Sequence, residues 1–74
     1  MDTTDFALRT DYITLDALLK AAGWASSGGE AKTAIAEGRA LVNGEPETRR
    51  GRKLRAGDRV EYEGRALNIT GAAA

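Results

Sequence analysis

The residues best suited to chemistry in this chain form a run of cations near its middle. Five of the seven residues from 49 to 55 are basic, namely Arg49, Arg50, Arg52, Lys53 and Arg55. Arginine matches phosphate oxygens with two parallel N–H donors and stacks on exposed bases, while lysine supplies a compact point charge. So dense a run, next to a turn, predicts a surface that binds phosphates.

The net charge of the chain is zero, with 11 Lys and Arg against 11 Asp and Glu. Taken alone, this balance argues against nucleic-acid binding. The distribution is uneven, however, since residues 1–19 hold four acids and one base while residues 49–59 hold six bases and one acid. Because salt screens electrostatic fields beyond roughly 8–10 Å, a neutral protein can still carry a strongly positive patch.

The chain offers few side chains that are suited to catalysis. The chain contains no histidine and no cysteine, which removes the commonest general base, thiolate nucleophiles and the usual ligands of transition metals. The segment 29–33 superficially resembles a phosphate-binding loop, but Ala31 and Ser26 stand where that motif needs glycine. We therefore expect no enzyme, no cofactor, no metal site and no small-molecule substrate.

Helical spacing of apolar residues predicts two helices that would position the basic run. The first begins with Thr14 as N-cap and ends at Gly23. The second begins with a capping box, in which Ser27 caps an amide and Glu30 reaches back, and ends at Gly38. The predicted buried residues are Leu15, Leu18, Leu19 and Ala22 in the first helix and Ala31, Ala34 and Ile35 in the second.

Gly28 and Gly29 in the first turn of the second helix are poor helix formers. Two explanations stay open for them. Either they permit tight packing against the first helix, or they leave the first-turn amides open to a phosphate.

After Gly38 the apolar period changes to that of strands. Ala40–Val42, the turn Asn43-Gly44 and the residues that follow predict a hairpin with a type I′ turn, and Pro46 places its second strand at an edge. Two more strands are expected, with Val60, Tyr62, Leu67 and Ile69 facing inward and Gly64 between them. A short strand around Phe6 and Leu8 precedes all of these. We expect Trp24 to pack in the core.

These elements predict an α+β fold with two helices packed on a small, mostly antiparallel sheet. Residues 1–70 form one domain and residues 71–74 a frayed tail. No apolar segment is long enough to cross a membrane and no signal peptide opens the chain, so we expect a cytoplasmic location.

The order of motifs resembles the RNA-binding domain named after small-subunit ribosomal protein S-four, whose alpha-L motif is two helices followed by a hairpin. The resemblance covers residues 13–61 and rests on the Leu15-Asp16 helix start, Ser27, Ala31-Lys32, Val42-Asn43-Gly44 and Gly57-Asp58. The segments SGGEAK and NGExExRRGRKL are similar to the stand-alone bacterial YbcJ-like branch.

The resemblance implies binding of structured RNA by a ribosome-associated protein. We expect the RNA to be ribosomal or transfer RNA and the protein to be a monomer. By position it implicates Lys32, Arg39 and Asn43 beside the five bases of the run, with Gly28 and Gly29 as backbone contacts to phosphate. Many family members carry arginine where this chain has Thr14 and Gly28, which shifts the expected contacts toward the basic run. Asn43 is expected to serve the turn more than the RNA.

Two other functions compete with this one. A protein-interaction module could use the basic run against an acidic partner, and complexes insensitive to ribonuclease would favour it. The two helices could also form a DNA-binding helix-turn-helix, but the second helix offers few side chains that read bases.

Overall fold

The computed structural model describes residues 2–71. The helices are α1 (Leu15–Ala21) and α2 (Gly28–Ala36). The strands are β1 (Asp2–Ala7), β2 (Ile13–Thr14), β3 (Ala40–Val42), β4 (Glu45–Pro46), β5 (Lys53–Leu54), β6 (Arg59–Tyr62) and β7 (Arg65–Thr70). Within residues 2–71, neither helix is long and apolar enough to span a bilayer.

The strands form a five-stranded sheet in the order β1-β7-β6-β3-β4 and a separate two-stranded sheet of β2 and β5. The pairing of β1 with β7 is parallel, and every other pairing is antiparallel. This confirms the predicted α+β class and the mostly antiparallel sheet. Pro46 lies in the edge strand β4, as expected of a residue that cannot donate a ladder hydrogen bond.

Helix α1 buries the predicted leucines completely, since Leu15, Leu18 and Leu19 have no exposed surface. Thr14 stands at the N-cap, but its hydroxyl caps no helix amide and instead donates to Asp16 Oδ1 at 2.7 Å. Main-chain carbonyl oxygens of the basic run accept hydrogen bonds from the first two amides of α1. Leu15 N donates to Arg52 O at 3.0 Å and Asp16 N to Arg50 O at 3.1 Å.

Helix α2 begins with half of the predicted capping box. Ser27 Oγ accepts from the Glu30 amide at 3.2 Å, but the Glu30 carboxylate reaches past Ser27 to the Ser26 hydroxyl at 2.6 Å. The capping box predicted that Glu30 would reach back to Ser27, but its carboxylate accepts from the hydroxyl of Ser26, one residue earlier. Ala31, Ala34 and Ile35 are buried as expected.

Both hairpins of the large sheet turn through residues with positive φ. Asn43 and Gly44 have φ values of 52° and 87°, and Glu63 and Gly64 have 50° and 78°. Positive φ at both central positions is the requirement of the type I′ turn predicted at Asn43-Gly44. A non-glycine residue such as Glu63 is less well suited to that conformation than asparagine.

The core lies between the helices and the large sheet and includes Val60, Tyr62, Leu67 and Ile69, as predicted. Leu54 of the small sheet is also fully buried, which fixes the C-terminal end of the basic run to the core. Trp24 is half-buried at the edge of this core. Of the predicted tail, Gly71 is exposed, and residues 72–74 lie outside the described residues.

Candidate nucleic-acid interface

The basic loop, residues 49–55, is held to α1 at several points. The carbonyl oxygens of Arg50 and Arg52 accept hydrogen bonds from the first two amides of α1. The next two residues form β5, which pairs with β2, with Leu54 opposite Ile13 and Lys53 opposite Thr14. The main chain of the loop is therefore fixed by hydrogen bonds, although its side chains are mostly exposed.

A buried carboxylate organises two of the arginines. Glu47 is only 8% exposed and accepts hydrogen bonds from Arg49 Nε at 3.1 Å, Arg49 Nη2 at 3.0 Å and Arg52 Nη1 at 2.8 Å. The Arg49 amide donates to the same carboxylate at 3.1 Å. These hydrogen bonds lower the pKa of Glu47 to about 2. The side chain of Arg49 has the largest effect, followed by that of Arg52. Charge-assisted bonds of this kind hold both guanidinium groups in fixed positions.

The Glu47 carboxylate also neutralises part of the positive charge of the loop. Arg49, Arg52 and Glu47 together carry one net positive charge rather than two. The Arg49 side chain is nevertheless 72% exposed and that of Arg52 34% exposed. Arg49 and Arg52 line a cleft of about 510 Å³ together with Gly51 and Lys53.

The other three cations of the loop are not held by ion pairs within the described residues. Among residues 2–71, no hydrogen bond or ion pair engages the side chains of Arg50, Lys53 or Arg55. Lys53 Nζ lies 5.0 Å and Arg55 Cζ 5.7 Å from the ring centroid of Tyr12, which is 40% exposed. These cations can contact an anion without first breaking an ion pair.

Helix α2 supplies one exposed cation, Lys32, with no ion-pair partner in the described part of the chain. The two glycines of its first turn do not pack tightly. A methyl group at Gly28 would meet no heavy atom within 4 Å, and one at Gly29 would meet only Ser27 Oγ at 4.0 Å. Close packing against α1 therefore does not explain them.

The start of α2 is nevertheless poorly suited to a phosphate. The Glu30 carboxylate lies there, and its hydrogen bonds from Ser26 lower its pKa, so that it is charged at neutral pH. Ser27 already satisfies the Glu30 amide. A phosphate contacting Gly28 or Gly29 would meet a negative charge in the same turn.

Arg39 and Asn43 are both engaged in intramolecular contacts. Arg39 forms an ion pair with Glu63 and another with Glu37 at 3.2 Å, and it donates to Tyr62 Oη at 3.2 Å. Asn43 Oδ1 accepts from the Arg59 amide at 2.9 Å, and Asn43 Nδ2 donates to Asp58 Oδ1 at 3.1 Å. The Asn43 side chain thus joins the β3–β4 turn to the start of β6, in keeping with its predicted role in the turn.

Sequence reasoning missed Tyr12 and Glu47. Glu47 lies two residues before Arg49, a spacing that allows the contact but does not predict its burial. Tyr12 lies 41 positions before Lys53 in the numbering of the chain, and only the pairing of β2 with β5 brings the two together. Two-residue strands leave no periodic pattern, so no signal in the sequence announced this contact.

Comparison with known proteins places the whole arrangement in a family. Residues 6–70 match the S4 domain. The chain belongs to the S4 domain family. The match runs from β1 through β7 and therefore includes both helices, the basic loop and the small sheet that fixes it.

This S4 domain has relatives of similar length. It is 52% identical over 58 residues to the Bacillus subtilis (strain 168) protein named "Probable ribosome maturation protein RlbA", covering 78% of this chain and 82% of the relative. It is 43% identical to the Escherichia coli (strain K12) protein named "Putative RNA-binding protein YbcJ", covering 78% and 83%.

The solution structure of YbcJ from E. coli is similar in fold, with 40% identity and a TM-score of 0.68. The similarity covers 89% of this chain and 85% of YbcJ, whose structure is described as revealing an alfaL motif involved in RNA-binding. The alpha-L arrangement expected from the sequence, two helices followed by a hairpin, is therefore confirmed.

Proposed function

We propose that this S4 domain binds structured RNA, ribosomal or transfer RNA, as a monomer associated with the ribosome. The basic loop supplies the main contacts, and Lys32 on α2 supplies a weaker one. The relatives described above, one named as a ribosome maturation protein and one as an RNA-binding protein, support this assignment.

One observation carries the proposal. Arg50, Lys53 and Arg55 are exposed on a main chain that is fixed by α1 and by the small sheet, and their charges are not paired within the described residues. Binding a phosphate there costs little ordering of the backbone and breaks no ion pair. Arg49 and Arg52 add N–H donors held by Glu47.

The recognition expected is of shape and phosphate positions rather than base sequence. The bases of double-stranded RNA are hard for side chains to reach, so proteins bind its backbone and its 2′-hydroxyl groups. Arg39 contributes little in this proposal, because an RNA phosphate would have to compete with Glu37 and Glu63 for its guanidinium group.

The test compares two double variants that each remove two positive charges and leave the partners of Glu47 intact. Arg50→Gln/Lys53→Gln alters the basic loop, and Lys20→Gln/Arg65→Gln alters cations elsewhere. Binding to ribosomal RNA, transfer RNA and duplex DNA is measured across a salt series. We expect the loop variant to bind structured RNA about tenfold more weakly, with a salt dependence shallower by up to about 2 in log–log slope.

The control variant should bind within about twofold of the unmodified protein. Absence of RNA binding by the folded protein at low salt would contradict the proposal, as would equal competition by duplex DNA. Complexes that survive ribonuclease would instead favour an acidic protein partner.

A further inference from the structure

Tyr12 is the one large hydrophobic side chain that is exposed in the described part of the chain. Every other large apolar residue of residues 3–71 is at least half-buried. The ring is not part of the core cluster and lies beside the basic loop.

The local structure directs Tyr12 and two cations of the loop to the same side. Ile13 and Leu54 are paired across the small sheet and face the core. Side chains alternate along a strand, so Tyr12 before Ile13, and Lys53 and Arg55 on either side of Leu54, point to solvent. The Tyr12 carbonyl also accepts from Thr10 Oγ1 at 2.8 Å, which holds the main chain there.

The result is an aromatic ring with two cations at 5.0 and 5.7 Å from its centroid. Neither cation has an ion-pair partner among the described residues. Proteins that bind unpaired nucleotides combine a ring on which a base stacks with cations that follow the phosphates. The bases of an uninterrupted duplex are stacked on each other and cannot use such a ring.

We propose that Tyr12 stacks on an unpaired base of the bound RNA, while Lys53 and Arg55 contact the phosphates beside that base. This rests on the proposed function and adds a selectivity to it. The protein distinguishes a helix interrupted by a bulge, or flanked by a loop, from a continuous helix.

The experiment uses two RNA duplexes that differ only by one bulged adenosine. The full chain and its variants Tyr12→Leu and Tyr12→Phe are titrated with both duplexes. We expect the unmodified protein to bind the bulged duplex about tenfold more tightly, because stacking adds to the phosphate contacts. Tyr12→Leu should lose this preference while binding the continuous duplex as before, and Tyr12→Phe should retain it.

The salt dependence separates stacking from an electrostatic effect. Stacking releases no counterions, so Tyr12→Leu should leave the log–log slope unchanged, whereas Arg55→Gln should make it shallower by about 1. Equal weakening of both duplexes by Tyr12→Leu, with a shallower slope, would mean that the ring only positions the cations and would overturn the inference.

Failure of this inference is distinguishable from failure of the proposed function. If the unmodified protein binds both duplexes equally and Tyr12→Leu changes neither, the stacking inference is wrong but RNA binding stands. If the unmodified protein binds neither duplex nor any structured RNA, both are wrong.

Discussion

Two tyrosines of this S4 domain each lie beside a pair of cations, but in opposite surroundings. Tyr12 is 40% exposed beside Lys53 and Arg55, whereas Tyr62 is 3% exposed beside Arg39 and Arg65. Tyr62 also stacks on Trp24, with 6.2 Å between the ring centroids. The distances from cation to ring are similar in the two places, at 5.0–6.0 Å.

The difference lies in what else the groups contact. Around Tyr62, Arg39 pairs with Glu37 and Glu63, and the ring is part of the core. Around Tyr12, the cations have no carboxylate partner in the described residues and the ring faces solvent. A similar contact therefore belongs to packing in one region and is available for a ligand in the other. The number of arginines on a surface does not measure the charge available for binding.

The largest expected effect is the difference in stability between a variant that lacks the Tyr62 ring and one that lacks the Tyr12 ring. Tyr62→Ala should lower the free energy of unfolding by about 3 kcal/mol, because it leaves a cavity against Trp24 and the core. Tyr12→Ala should lower it by no more than about 0.5 kcal/mol, as is usual at exposed sites. Urea denaturation followed by circular dichroism measures both. Equal losses in the two variants would remove the distinction between the regions.

A smaller effect should follow from removing the buried carboxylate of the basic loop. Glu47→Gln should lower the free energy of unfolding at pH 7 by about 1 kcal/mol, since it weakens the charge-assisted bonds from Arg49 and Arg52. The folded-state pKa of about 2 lies below the ordinary value of 4.5. The stabilisation is therefore fully present above pH 4.5 and is lost as the pH falls toward 2.

Urea denaturation of the unmodified protein and Glu47→Gln at a series of pH values checks this course. The difference between the two should narrow below pH 4.5 and vanish near pH 2. Glu63→Gln is the matched control, because it removes the exposed partner of Arg39, and it should cause no measurable loss at any pH. A constant difference for Glu47→Gln across the series would contradict the role given to its charge.

The smallest effect tests whether Arg39 contacts RNA once its partner is removed. Glu63→Gln releases Arg39 from one ion pair, and Glu45→Gln removes an exposed carboxylate from the edge strand. Both should raise the affinity for structured RNA by less than about twofold, through net charge alone. A clearly larger rise for Glu63→Gln in a filter-binding assay would show that Arg39 contributes to the interface.

Much of the fold could be predicted because its signals are local. The stripe of Leu15, Leu18 and Leu19 has the period of a helix, and Asn43-Gly44 is the pair that a type I′ turn requires. The exposure of the basic loop also follows locally, since a run so rich in charge cannot be buried without partners. Details that depend on a neighbouring residue were less secure, as the Thr14 hydroxyl shows by binding Asp16 instead of a helix amide.

The sequence predicts which segment is cationic and exposed, but not which of its cations form ion pairs. The sequence predicted one exposed segment that carries Arg49, Arg50, Arg52, Lys53 and Arg55. The structure confirms this exposure for the segment as a whole. It did not predict that Glu47 turns inward to hold two of the arginines, or that Arg39 pairs with Glu63, 24 positions away.

The amino-acid order alone thus settles which residues form helices, turns and a cationic segment, because propensity, periodicity and charge density act over a few neighbouring residues. Only the tertiary structure decides which cations are neutralised and which ring stands beside the free ones. Those outcomes depend on the pairing of β2 with β5 and on the ends of β3 and β6, and such contacts join residues that are distant in the chain.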